Sequence, residues 1–189
     1  MFFYHTVEDR NNPDHIEQET PFLCSHQGAW LGKGYYLWEQ FIENAHWWGT
    51  QAYKKNGAYV IVQFEGDSPQ EGRCFDLLGN MEHLSEFRDA HKYLKDKNLQ
   101  TKPITVSKVI EFIRKNTDFD NRYDSIRAKD NSPKNKDVVG FQENKYPYME
   151  LLPHIQLCLF SKSSLNLSKG KIVYPEHYRQ ATDKTREYL

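Results

Sequence analysis

Between residues 40 and 53 the apolar side chains Phe41, Ala45, Trp48 and Ala52 recur at i, i+4, i+7 and i+11, the stripe of one helical face. Trp48 lies on that stripe and is expected in the core. Trp47 is turned about 100° from it and is expected at the edge of a cleft. The same period over 80–97 (Leu84, Phe87, His91, Leu94) and 105–116 (Val106, Val109, Ile110, Ile113) predicts two more amphipathic helices. Asn80 and Thr105 are placed to cap them, with Pro103 just ahead of the second. A period of two marks the strands. Residues 2–6 put Phe3 and His5 on one face, 33–38 and 58–65 follow, and Gly66 to Pro69 turns the chain out of the last of these. Over 154–160 the aliphatic Ile155, Leu157 and Leu159 separate from His154, Gln156, Cys158 and Phe160, and 171–174 has the pattern of an edge strand. Residues 7–27 are polar except at Pro21–Cys24 and predict loop and short turns. Residues 118–137 predict an exposed, mobile loop, interrupted at Tyr123–Ala128 by either a pocket-facing strand or a turn. The tail from Glu176 is polar, with a helix as one reading.

Composition narrows what such a pattern can be. The 189 residues suit one domain over 1–189, with 80–117 as a helical insertion, and 14% aromatic content argues for an ordered chain. A net charge of -1 supplies no global field to recruit nucleic acid or an anionic membrane. Cys24, Cys74 and Cys158 are widely spaced, form no CxxC pair and suggest thiols in a reducing compartment. The first residues lack the cationic and apolar regions of a signal peptide, and no apolar run approaches the roughly 20 residues of a membrane span, so a soluble cytoplasmic protein is expected. The eight histidines show no zinc-site spacing, so no metal is expected, and neither GxGxxG nor GxxxxGK[ST] occurs.

The chemistry is concentrated in Gly28-Ala-Trp-Leu-Gly-Lys-Gly-Tyr-Tyr-Leu-Trp-Glu39 and in Ala45-His-Trp-Trp48. A glycine-rich turn running into an aromatic strand lets backbone approach and rings stack on a flat ligand. His5 precedes Tyr36 by 31 positions, and Trp47 follows it by 11. Together Tyr4-His-Thr6, Gly32-Lys-Gly-Tyr-Tyr36 and Ala45-His-Trp47 resemble the ADP-ribosyltransferases of the poly(ADP-ribose) polymerase and diphtheria-toxin type. The resemblance covers about a third of the chain, in three blocks. It implies an α+β fold of two small, mostly antiparallel sheets packed with helices, with NAD in the cleft between them.

It also implies cleavage of the nicotinamide–ribose bond of NAD, the substrate, and transfer of ADP-ribose to a protein or nucleic-acid acceptor. A bacterial toxin or defence effector, with an antitoxin as partner and no membrane, fits that activity. Carried over residue by residue, His5 bonds a ribose hydroxyl, the Thr6 backbone and Gly34 contact the cofactor, and Tyr36 and Trp47 sandwich the nicotinamide. His5, Tyr36 and Gln156 form the catalytic set. Lys33, Arg127 and Glu150 are candidate phosphate or acceptor contacts, with a solvated side chain as the other reading of Lys33 and a surface salt bridge as that of Arg127. Three positions depart from the family pattern: Thr6 stands for a glycine, Tyr35 for an aliphatic residue, and Gln156 for a glutamate. An amide can hold a hydroxyl but can neither carry negative charge nor accept a proton from an acceptor. Mono-ADP-ribosyl transfer and a catalytically inactive NAD-binding module therefore both remain, with Glu150 as the alternative carboxylate.

Overall fold

The computed structural model describes residues 1–26, 28–53, 58–69, 73–97, 103–130, 138–140 and 148–179. Ten strands, five α-helices and one 3-10 turn occur among them. The sheet order is β10 (Lys171–Tyr174), β4 (Tyr59–Glu65), β1 (Phe2–Glu8), β3 (Gly34–Glu39), β9 (Ile155–Leu159), β6 (Ser125–Lys129), β5 (Cys74–Asp76), with β2 (Leu23–Cys24) also on β3. The pairing is antiparallel except between β5 and β6. A two-stranded ribbon, β7 (Val138–Gly140) with β8 (Tyr148–Glu150), stands apart.

This is an α+β chain with a mostly antiparallel open sheet. The two separate sheets of the expected fold are joined here into one ladder, but the join is narrow. β1 and β4 run together from Phe2↔Glu65 to Glu8↔Tyr59, whereas β1 and β3 share only Phe3↔Glu39 and Tyr4↔Trp38. Beyond Tyr4 the strands part, and β3 continues alongside β9 from Trp38↔Gln156 to Tyr35↔Leu159.

Side-chain alternation sorts the core onto two faces. Phe3, Leu37, Val60, Val62, Phe64, Leu157 and Leu159 pack together on one face, with Ile16 against them. On the other, α2 (Ile42–Ala52) covers Tyr4, Trp38 and Ile61 through Ala45, while α3 (Met81–Asp96) and α4 (Val106–Asn116) pack on Phe75, Ile126, Ala128 and Cys158 through Leu94, Val109, Ile110 and Ile113. Each fully buried large apolar side chain contributes about 1.5–3 kcal/mol. The caps fall where the pattern puts them: Asn80 accepts from the Glu82 and His83 N–H groups, and Thr105 accepts from Lys108 N–H.

Three expectations are corrected. Residues 7–27 contain α1 (Pro13–Glu19), which begins on a proline and anchors by Ile16. Within 118–130 the chain forms α5 (Phe119–Arg122) and β6, so the strand alternative at Tyr123–Ala128 holds, as an interior strand of the sheet, and this part is not a mobile loop. Trp48 is 41% exposed and lies outside the core, because Ala45 and Asn44 are the α2 residues turned to the sheet. The rest of the predicted loop, 131–137, and the tail from 180 onward lie outside the described residues. No described helix is long and apolar enough to cross a membrane.

Candidate functional site

Where β1 and β3 part, a cleft of about 750 Å³ opens, within the usual range for small-molecule sites. His5, Thr6, Tyr36, Trp47 and Gln156 all line it, as expected of them. Lys33, Gly34, Arg127 and Glu150 do not.

His5 sits at the fork. Phe22 N–H donates to its Nε2 (3.1 Å), so the proton is on Nδ1, which donates to the Tyr36 carbonyl (2.8 Å). The side chain thereby replaces the ladder bond that the diverging strands no longer make, and it ties the Phe22 segment to both. Burial lowers its pKa to about 4; the Tyr36 carbonyl opposes that shift and the Lys162 charge adds to it. The ribose contact expected of His5 competes with Phe22 N–H for Nε2.

Tyr36 presents its ring to the cleft and uses its hydroxyl elsewhere. The oxygen accepts from Leu31 N–H (2.9 Å) and donates to the Gly32 carbonyl (2.7 Å), which fastens the glycine-rich turn onto the strand. Burial pushes its pKa well above the ordinary tyrosine value, so it remains a phenol. Gly32 adopts φ 93°, a conformation that explains a glycine there.

Gln156 lies opposite Trp38 in the ladder. Trp30 Nε1–H, which can only donate, bonds Gln156 Oε1 (2.5 Å) and thereby fixes the amide orientation. The two N–H groups of the amide are what it can offer a ligand. Trp47 stands edge-on to Trp38 (6.0 Å between centroids, 85°) and packs on His154 (4.5 Å, 38°), so its ring is braced from two sides. Thr6 is held by a hydroxyl bond to the Ala45 carbonyl of α2 (3.0 Å).

The other four candidates do different work. A Cβ at Gly34 would collide with Cys158 Sγ and with the Leu159 carbonyl oxygen at 2.5 Å, so the glycine permits close approach of β3 to β9. Arg127 is buried and chelated: its Nε and one Nη bond Glu39 (2.6 and 2.8 Å), and the other Nη lies 3.3 Å from both Asp76 oxygens. The surface pair expected of it is an interior triad linking β6, β3 and β5. Glu150 pairs with Lys129 and is not among the cleft residues. Lys33 is exposed and lies outside the lining.

Several cleft residues carried no functional reading in the sequence. Trp30 was visible in the glycine-rich stretch, but its bond to Gln156 spans 126 positions and needs the fold. Phe22 and His15, stacked at 5.8 Å, come from the segment read as loop. Glu8 and Asp130 are the carboxylates of the described lining, and Glu8 is bonded to Arg10 Nε at 2.9 Å. Aromatic walls with a few polar groups at their ends suit a flat ligand bearing hydroxyls. Among the described residues no group of three or more His, Cys, Asp or Glu side chains is arranged to hold a metal. No family model, curated protein or solved structure matches the chain.

Proposed function

We propose that the chain is a mono-ADP-ribosyltransferase that takes NAD in this cleft and transfers ADP-ribose to a protein or nucleic-acid acceptor, in the cytoplasm, as a toxin or defence effector held in check by an antitoxin. The reading is supported by one observation above all. Five residues singled out by motif and spacing, from His5 to Gln156, line a single cleft at the point where the sheet forks. The narrow β1–β3 junction also suits the split-sheet version of the α+β class.

In this reading Tyr36 and Trp47 flank the nicotinamide ring, each contact worth about 0.5–1.5 kcal/mol beyond area burial. Gln156 donates its amide hydrogens to the nicotinamide-ribose hydroxyl, and the Thr6 backbone takes the carboxamide. Nicotinamide leaves as a neutral group, so the protein's task is to orient the ribose and stabilise oxocarbenium-like charge. The test is incubation with labelled NAD and mass analysis of released nicotinamide. Release by wild type and its loss in Tyr36→Ala is the expected result; no consumption of NAD with any cell extract sinks the reading.

A second reading, a non-enzymatic NAD-binding module, is favoured by the uncharged Gln156 and by the internal bonds already made by His5 and Tyr36. Its partner surface is the insertion, where Met81, Leu84 and Tyr93 are exposed on α3. Binding by calorimetry without nicotinamide release supports it. Turnover gained in Gln156→Glu then marks a correctly built cleft that lacks one charge.

A further inference from the structure

The glutamine at 156 leaves the cleft without a carboxylate on β9, and the alternative read from the sequence, Glu150, is turned to Lys129. The next residue after Lys129 solves this. The β6–β9 ladder pairs Ala128 with Gln156 and Lys129 with Ile155, and Asp130 N–H donates to the His154 carbonyl (3.0 Å), adding one more rung. Side chains alternate, so Asp130 shares the face of Ala128 while Lys129 turns to the other. Asp130 is thereby the diagonal neighbour of Gln156, about 7–8 Å from it along the ladder. It lies directly across from His154, the residue on which Trp47 packs. It lines the cleft, and the other lining carboxylate, Glu8, is on β1 and paired with Arg10.

We infer that Asp130 is the general base of this cleft, taking the proton of the acceptor nucleophile beside Gln156. The inference rests on the transferase reading above. In the step assigned to it, the nicotinamide N–C1′ bond of NAD breaks and its electron pair leaves on neutral nicotinamide. The acceptor O–H or N–H attacks C1′, its bond to C1′ forms, and its proton passes to the Asp130 carboxylate, which later releases it to water. Gln156 holds the ribose and Asp130 handles the proton, so two neighbouring side chains divide the work of one glutamate.

An anionic nucleophile that has no proton to lose separates this role from a structural one. With the full chain, Asp130→Asn is expected to bind NAD with unchanged affinity by calorimetry and to lose about 10²–10⁴-fold in nicotinamide release when water or the acceptor attacks. With azide it is expected to form ADP-ribosyl azide at nearly the wild-type rate, and Asp130→Glu is expected to recover part of the lost rate. Undiminished transfer by Asp130→Asn to water and acceptor overturns the inference while leaving the transferase reading intact. Equal loss with azide and water assigns Asp130 a structural part and overturns it too. A wild type that binds NAD without releasing nicotinamide overturns this role and favours the binding module; one that does not bind NAD at all overturns both readings.

Discussion

The two halves of the sheet are held together by different chemistry. On the β10–β4–β1 side the interior is apolar, with Val60, Val62, Phe64 and Ile172 shielded from solvent and β1 zipped to β4 along its whole length. On the β3–β9–β6–β5 side a guanidinium and two carboxylates are buried among strands, and the ladder alone is supplemented by the Arg127 chelate. Apolar packing tolerates small shifts at little cost, whereas a buried charge cluster has one good geometry. The second half is thus the rigid frame on which Tyr36, Gln156 and Asp130 are registered, and the first half brings His5 and the α2 tryptophan Trp47 to it across a two-pair seam.

Removing the shared cation should separate the two halves most sharply. Arg127→Met leaves Glu39 and Asp76 buried without it and is expected to cost about 3–5 kcal/mol in denaturant unfolding. Hydrogen exchange should then accelerate in β3, β5, β6 and β9 and leave β1 and β4 protected; uniform acceleration makes the halves one cooperative unit.

The seam itself should respond to pH. Burial holds the His5 pKa near 4, against about 6.5 in the unfolded chain, so between these values the unfolded state binds the additional proton. The stability that His5 supports is complete above pH 6.5 and is lost as the pH falls from there to 4, by about 3 kcal/mol. Unfolding midpoints across that window test it, and His5→Asn should flatten the profile. An unchanged slope in His5→Asn removes His5 as the seam's titrating group.

Thr6→Val deletes the hydroxyl that ties β1 to the Ala45 carbonyl and is expected to cost about 1 kcal/mol, confined to the first half. A change above 3 kcal/mol instead makes α2 docking part of the seam. At the small end, Trp48→Ser removes an exposed ring and should move stability by less than about 0.5 kcal/mol, while the same change at the braced Trp47 should be several times larger.

Long, regularly patterned elements were readable from the chain: β1, β3, β4, β9, the capped α3 and α4, and the edge strand β10. Their signals are local, so tertiary packing had little to overrule. α1 was hidden because one buried residue, Ile16, cannot make a period. β6 was readable only as one of two alternatives, strand or turn, because its interior position buries Ser125 and Arg127, and a charged residue in a short run looks like loop until its two carboxylate partners arrive from β3 and β5. Trp48 was misplaced because the stripe assumed a fully covered face, while α2 lies over a sheet that forks beneath it. In the cleft, His5, Thr6, Tyr36, Trp47 and Gln156 were found through motif and spacing. Trp30 and Asp130 were missed because the fold brings them to β9, Trp30 by its bond to Gln156 and Asp130 by the rung opposite His154, which no spacing in the sequence encodes.

The cleft's tryptophans have an optical consequence. The chain contains four, and Trp30, Trp38, Trp47 and Trp48 all line that one cavity. Tryptophan emission from the folded protein therefore comes from the cleft walls alone. Trp38, Trp47 and Trp48 also stand ring to ring at 6.0 and 6.2 Å, close enough for their electronic transitions to couple and give a dichroic couplet in the far ultraviolet. A molecule entering between them quenches the one and distorts the other, so the unlabelled protein reports its own occupancy.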